Sequence, residues 1–172
     1  AGKPMWRGGL SGTRSLFMHA DRPMISGNRT SSLIHELIHV GTGISGGKRA
    51  DWIVEGLAEY YASAILFRTG GMSDWRYEQV LEWKTDWAKE ADTLFTRRSS
   101  GPVTARAAVF MHRLDQALAK ATDGAAGIDD VARALAQDRG RVSLAQLKEI
   151  VAELAGDAVD VDALIAGLEN AG

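Results

Sequence analysis

From residue 30 onward the apolar positions of this chain recur every three or four residues, the period of helices that bury one face. Leu33, Ile34, Leu37, Ile38 and Val40 form the first such run. Thr30, Ser31 or Ser32 can cap it and Gly41 and Gly43 supply a stop, which predicts a helix from about 32 to 40. A second helix is predicted over 52–68, opened by Asp51 and ended by Gly70 and Gly71, and a third from Ser73 or Asp74 to about 89. A fourth, 102–121, carries Val103, Ala107, Phe110, Met111, Leu114 and Leu118 along one stripe. Shorter helices follow near 128–137, 143–154 and 160–168, with Ser143 and Gln146 as a capping box. Residues 1–29 carry five glycines and two of the three prolines, and the only plausible strand there is 15–20. The stretch 91–101 reads as loop, and 41–49, with four glycines, as a mobile connection. A phosphate-binding loop is excluded there: no register gives Gly-x-x-x-x-Gly-Lys, and Arg49 stands where Ser or Thr would follow Lys48. The expected fold is mainly α and a single domain over 1–172, divided into a loop and strand segment (1–29), a helix pair (30–69) and a helical part (70–172).

The chemistry lies in the first helix. His35-Glu36-Leu37-Ile38-His39 places two imidazoles one turn apart with a carboxylate beside the first, inside an apolar run. Four residues on a helix rotate a side chain by only about 40°, so both rings can face one ion while Glu36 reaches its water. A catalytic zinc takes three protein ligands and keeps one position open, so a third donor is needed. The second helix, Trp52-Ile53-Val54-Glu55-Gly56-Leu57-Ala58-Glu59-Tyr60-Tyr61-Ala62, is apolar on nearly every side yet holds two carboxylates. Buried carboxylates are normally paired or bind metal. We therefore assign His35, His39 and Glu55 to the metal, with Glu59 and Asp51 as alternatives for the third ligand. Glu59, one turn beyond Glu55, is expected to accept from the free ring nitrogen of a zinc histidine. Gly56 is read as room for close approach of the first helix. The bland reading is that these histidines are ordinary helix residues and both glutamates lie on a solvated face.

Composition narrows the rest. The 172 residues include no cysteine, which excludes disulfides and thiolate ligands. A net charge of −2 with scattered basic residues gives no footprint for nucleic acid or an anionic membrane. No stretch approaches the roughly 20 apolar residues of a membrane span. The chain opens at Ala1 with no recognisable signal peptide, and is expected to be a mature product or an excised piece. For a donor to a developing oxyanion the candidates are Tyr60, Tyr61, Tyr77, Arg106 and His112. Arg106, on the flank of the fourth helix's stripe, could enter a cleft, whereas His112, opposite it, reads as solvated. His19 is assigned to surface or strand edge. Trp83 and Trp87, with Val80 and Leu94, form an apolar patch for which core packing is favoured over a substrate pocket.

With these residues in place, the chain resembles gluzincin metallopeptidases, most closely the glycyl aminopeptidase-like family, relatives of aminopeptidase N and thermolysin. The likeness runs through His35-Glu36-x-x-His39, Trp52-x-x-Glu55-Gly56-x-x-x-Tyr60-Tyr61 and Leu66-Phe67-Arg68-Thr69-Gly70-Gly71, and more loosely through 107–118 and Gly127-Ile128-Asp129-Asp130-Val131. It implies a thermolysin-like zincin catalytic domain with a reduced N-terminal β segment, a substrate strand before the zinc helix, bound Zn2+, and hydrolysis of a peptide or protein substrate with Glu36 as the base. It also leans to a periplasmic or secreted setting. Three departures are plain, the first being that about 34 residues precede the motif, too few for the family's full sheet subdomain. The Gly-rich segment Gly8-Gly9-Leu10-Ser11-Gly12 lacks the glutamate often found there, and Val103-Thr104-Ala105-Arg106 lacks the tyrosine that relatives carry. They open an alternative, a degenerate relative that binds zinc or peptide without turnover. A third reading is a helical interaction module whose motif is accidental. Substrate sequence and oligomeric state stay open.

Overall fold

A computed structural model describes residues 9–12, 15–18, 24–26, 30–137 and 139–169. The fold is mainly α. In chain order it runs β1 (Gly9–Gly12), β2 (Ser15–Met18), α1 (Ser32–Thr42), β3 (Ser45–Gly46), α2 (Asp51–Arg68), α3 (Asp74–Ala88), α4 (Pro102–Ala121), α5 (Ile128–Ala136), β4 (Arg141–Val142), α6 (Leu144–Ala155), a single 3-10 turn (Gly156–Ala158) and α7 (Val161–Glu169). Among the described residues no helix is long and apolar enough to cross a membrane.

The caps fall where the side chains dictate. Ser31 Oγ accepts from the Ile34 N–H at 3.2 Å and opens α1. Gly43, at φ 63°, closes it in the left-handed conformation that suits glycine, with its N–H bonded to the His39 carbonyl. Ser143 Oγ caps α6 by accepting from the Gln146 N–H at 3.2 Å. Asp160 Oδ1 accepts from the N–H groups of Asp162 and Ala163 and starts α7.

α2 is the axis of the core. Trp52, Ile53, Leu57, Ala58 and Ala62 are fully buried, and α4 runs along it with Ala107, Phe110, Met111, Leu114 and Leu118 turned inward. Trp52 meets Phe110 edge to face at 5.0 Å between ring centres. Gly56 sits at this contact. A Cβ there would lie 2.8 Å from Ala107 Cβ and 3.0 Å from the Ala107 carbonyl, so the close approach it permits is that of α4 and not, as the sequence suggests, of the first helix. A smaller cluster of Met72, Tyr77 and Val80 joins α3 to the end of α2, with Phe67 and Tyr77 stacked at 4.4 Å.

A polar hub ties three helices together. Asp115 on α4 accepts from the Tyr60 hydroxyl of α2 at 2.7 Å and from the Ile128 N–H at the start of α5 at 2.8 Å. Arg68, Asp129 and Tyr61 extend it: the guanidinium binds both oxygens of Asp129, which also accepts from the Tyr61 hydroxyl. Asp115→Ala strands a hydroxyl and an N–H together and is expected to cost about 2 kcal/mol in urea unfolding, with Asp115→Asn costing less because one carbonyl oxygen survives. Equal stability of the alanine variant would show that the hub carries no net energy.

Two segments depart from the sequence reading. β1 pairs antiparallel with β2, Leu10 opposite Phe17, so the N-terminal part holds a second strand, at 9–12. Its glycines hide the side-chain alternation that marks strands, while backbone pairing needs none. The 41–49 connection is not loose: Ser45–Gly46 pairs in parallel with Arg141–Val142, and the Gly47 N–H bonds the Val142 carbonyl at 2.8 Å. The glycines are needed for contact, since a Cβ on Gly46 would reach within 2.5 Å of Asp51 Cα and one on Gly47 within 2.7 Å of the Val142 oxygen.

Candidate metal centre

α1 and α2 run antiparallel in a fixed register. The Ser31 N–H bonds the Ala62 carbonyl at 3.0 Å, His35 lies against Glu59, and His39 against Glu55. The contacts step from 31 to 35 to 39 along α1 as they step back from 62 to 59 to 55 along α2, and side chains three or four apart share a helix face. Glu55 and Glu59 form one face as expected, with His35 between them.

The metal-facing atoms form a triangle. His35 Nε2 and His39 Nε2 are 3.1 Å apart, Glu55 Oε2 is 3.4 Å from the former, and Glu55 Oε1 is 3.7 Å from the latter. Bonds of about 2.0–2.2 Å at tetrahedral angles put neighbouring donors roughly 3.3–3.5 Å apart, and the contacts here, made to two different Glu55 oxygens, fall near that spacing. His35, His39 and Glu55 could thus hold a metal ion. Their side chains are 18%, 16% and 28% exposed, which leaves a path for solvent to the centre.

Glu59 takes the supporting position. Its Oε2 lies 3.3 Å from His35 Nδ1, placed to accept the proton of that nitrogen, so that a ring deprotonated at Nε2 would turn that lone pair towards the centre. Burial disfavours a charged ring at His35, but Glu55 and Glu59 outweigh it and raise its pKa to about 9. At His39 burial prevails over the charge of Glu55, and its pKa falls below the ordinary value. Burial pushes the Glu59 carboxyl upward, yet Lys84 and His35 more than offset this and hold it at about 2. Lys84 itself is drawn below the usual ammonium range by burial. These two directions pull the pair apart, and the ionised form is the one the contacts favour, since Nζ lies 2.9 Å from both Glu59 Oε1 and the Glu59 carbonyl.

Lys84 is the residue that reading the sequence missed. Its signal was present: the buried face of α3 is Tyr77, Val80, Lys84 and Ala88, so a lysine occupies an apolar-stripe position. Glu36 follows His35 on α1, half-buried, and among the described residues its carboxylate makes no hydrogen bond or ion pair. Asp51, an alternative third ligand, accepts instead from the Ser99 N–H at 2.7 Å, and Glu59 is engaged by Lys84.

Two of the candidate oxyanion donors are spoken for elsewhere. Tyr60 and Tyr61 give their hydroxyl protons to Asp115 and Asp129, and burial together with these carboxylates raises both far above the normal tyrosine range. Tyr77 is stacked on Phe67. Arg106 does not enter a cleft: it is buried, and its Nε donates to the Ala88 carbonyl at the end of α3. His112 is not solvated but half-buried, with its ring edge-on to Tyr77 at 6.2 Å, and burial lowers its pKa. Val80 and Leu94 are buried in separate clusters while Trp83 is 40% exposed against Trp87, so these four do not form one patch. His19 lies outside the described residues. In comparisons with known proteins, no family model, no curated protein and no solved structure matches this chain.

Proposed function

We propose that this chain is a zinc-dependent peptidase of gluzincin type, with a thermolysin-like catalytic domain. The observation that carries the reading is the convergence of His35, His39 and Glu55, whose donor atoms meet at 3.1, 3.4 and 3.7 Å, the last two to different Glu55 oxygens. Two nitrogens and one carboxylate, without cysteine, suit zinc with an open fourth position. The β1–β2 hairpin lies against α1, where the family resemblance expects a substrate strand.

When bound, zinc supplies Lewis acidity, polarising a peptide carbonyl and bringing the pKa of water towards about 7. The rest falls to the chain. Glu36 takes the proton from the attacking water as the carbon–oxygen bond forms. The same carboxyl then delivers it to the departing amine as the carbon–nitrogen bond breaks. Glu59 holds the His35 ring, so the ligand nitrogen does not rotate away.

One observation favours a second reading, binding without turnover. Tyr60 and Tyr61 commit their hydroxyl protons to Asp115 and Asp129, which removes two of the candidate donors to the oxyanion.

Metal analysis and a mixed peptide library test both readings. The peptidase reading expects one zinc per chain in protein purified without added metal, and cleavage that stops on chelation and returns with zinc. Stoichiometric zinc without cleavage supports the degenerate relative. A folded chain that takes up no zinc at one equivalent overturns both.

A further inference from the structure

We infer that Lys84 is a positioning residue for the metal centre, clamping the Glu59 carboxylate so that its other oxygen holds the His35 ring with Nε2 turned inward. The inference rests on the zinc reading above and adds a residue of α3, a helix that supplies no ligand.

The geometry is a relay of three contacts. Lys84 Nζ binds Glu59 twice, at Oε1 and at the main-chain oxygen, each at 2.9 Å. The carboxylate is thereby split: Oε1 faces the ammonium and Oε2 faces His35 Nδ1 at 3.3 Å. A carboxylate on a free rotor would satisfy itself in many orientations. Gripped at one oxygen and at its own backbone, Glu59 has one orientation left, and it aims at the ring.

Stability alone does not account for the pair. Lys84 is 2% exposed at its side chain and Glu59 16%, and replacing a buried ion pair by packed apolar residues is often neutral or stabilising. Of the two charges it is Glu59 that also reaches the His35 ring, at 3.3 Å, so what Lys84 fixes in Glu59 bears on that ring. The charge count points the same way. With Lys84 neutralising Glu59, Glu55 alone among the contacting carboxylates brings unbalanced negative charge to the donor set.

A double-mutant cycle on the full chain tests this with Zn2+ and Co2+ as probes. Zinc affinity is read by competition with a chromophoric chelator, and ligand geometry by the visible absorption of bound cobalt. Glu59→Gln is expected to weaken zinc 10- to 100-fold, the usual effect of losing such a partner. Lys84→Gln should weaken it at least fivefold and alter the cobalt spectrum, and the double variant should be no weaker than Glu59→Gln alone. A purely structural lysine would lower the melting temperature and leave the spectrum and affinity of the folded fraction unchanged. Either that result, or losses that multiply in the double variant, overturns the inference. Should Lys84→Gln fail to fold, nitrogen-15 NMR of the unsubstituted zinc-loaded protein decides: His35 bound through Nε2 with a protonated Nδ1 supports the relay, and binding through Nδ1 defeats it. If the unsubstituted chain takes up no zinc, the metal reading itself falls; if it does and Lys84→Gln matches it, only the role of Lys84 falls.

Discussion

Glu36→Gln is expected to lower peptide hydrolysis by about 10^2- to 10^4-fold while one zinc per chain is retained, since general acid–base groups contribute on that scale. The argument starts from what Glu36 does not do. It is absent from the donor triangle of His35, His39 and Glu55, so its replacement removes no ligand. Among the described residues its carboxylate is tied to no other group, so its loss breaks no hydrogen bond that holds α1 in place. Glutamine keeps the size and most of the polarity but does not accept a proton near neutral pH. Turnover and metal content measured on one preparation separate the outcomes. Hydrolysis above a tenth of the parent rate would remove Glu36 from the reaction. Zinc lost together with activity would make it a ligand or a structural residue instead.

Gly56→Val is expected to destabilise the fold by about 3 kcal/mol or more, against a total of roughly 5–15 kcal/mol for a domain. Even the first added carbon would stand 2.8 Å from Ala107 Cβ and 3.0 Å from that residue's carbonyl atoms. Those neighbours are backbone and a methyl group inside a packed helix, so no rotamer change relieves the clash and α4 must move away from α2. Valine's better helix propensity than glycine returns only a few tenths of a kcal/mol. Gly56→Ala makes the same first contact with a smaller group and should fall between the two. Denaturant midpoints check the order, and a valine variant as stable as the parent would show that α2 and α4 are free to separate. Because Glu55 is the neighbouring residue, the same displacement should weaken zinc uptake in any fraction that stays folded.

The helices were legible because their caps and stripes are local. Ser31, Gly43, Pro102 and Ser143 mark boundaries through their own side chains or backbone, and the expected fourth helix, 102–121, coincides with α4. The supporting contact of Glu59 with His35 was also legible, because both lie on helices whose four-residue repeats face each other. What stayed hidden depends on partners distant along the chain. β3 finds β4 nearly a hundred residues later, and two-residue strands rich in glycine carry no periodic signal. The neighbour of Gly56 is on α4, and spacing reveals that a glycine makes room without revealing for whom. The expectations for Arg106 and His112 rest on one helix alone, while their surroundings are set by the end of α3 and by Tyr77.

α1 contributes two of the three donors, yet none of its side chains is fully buried, whereas the helix that carries Glu55 is enclosed on nearly every side. The centre therefore joins a weakly anchored rod to a rigid one. An ion gripped between them would act as a rivet, drawing the peripheral helix onto the core, so that occupancy and local order at this edge of the protein rise and fall together.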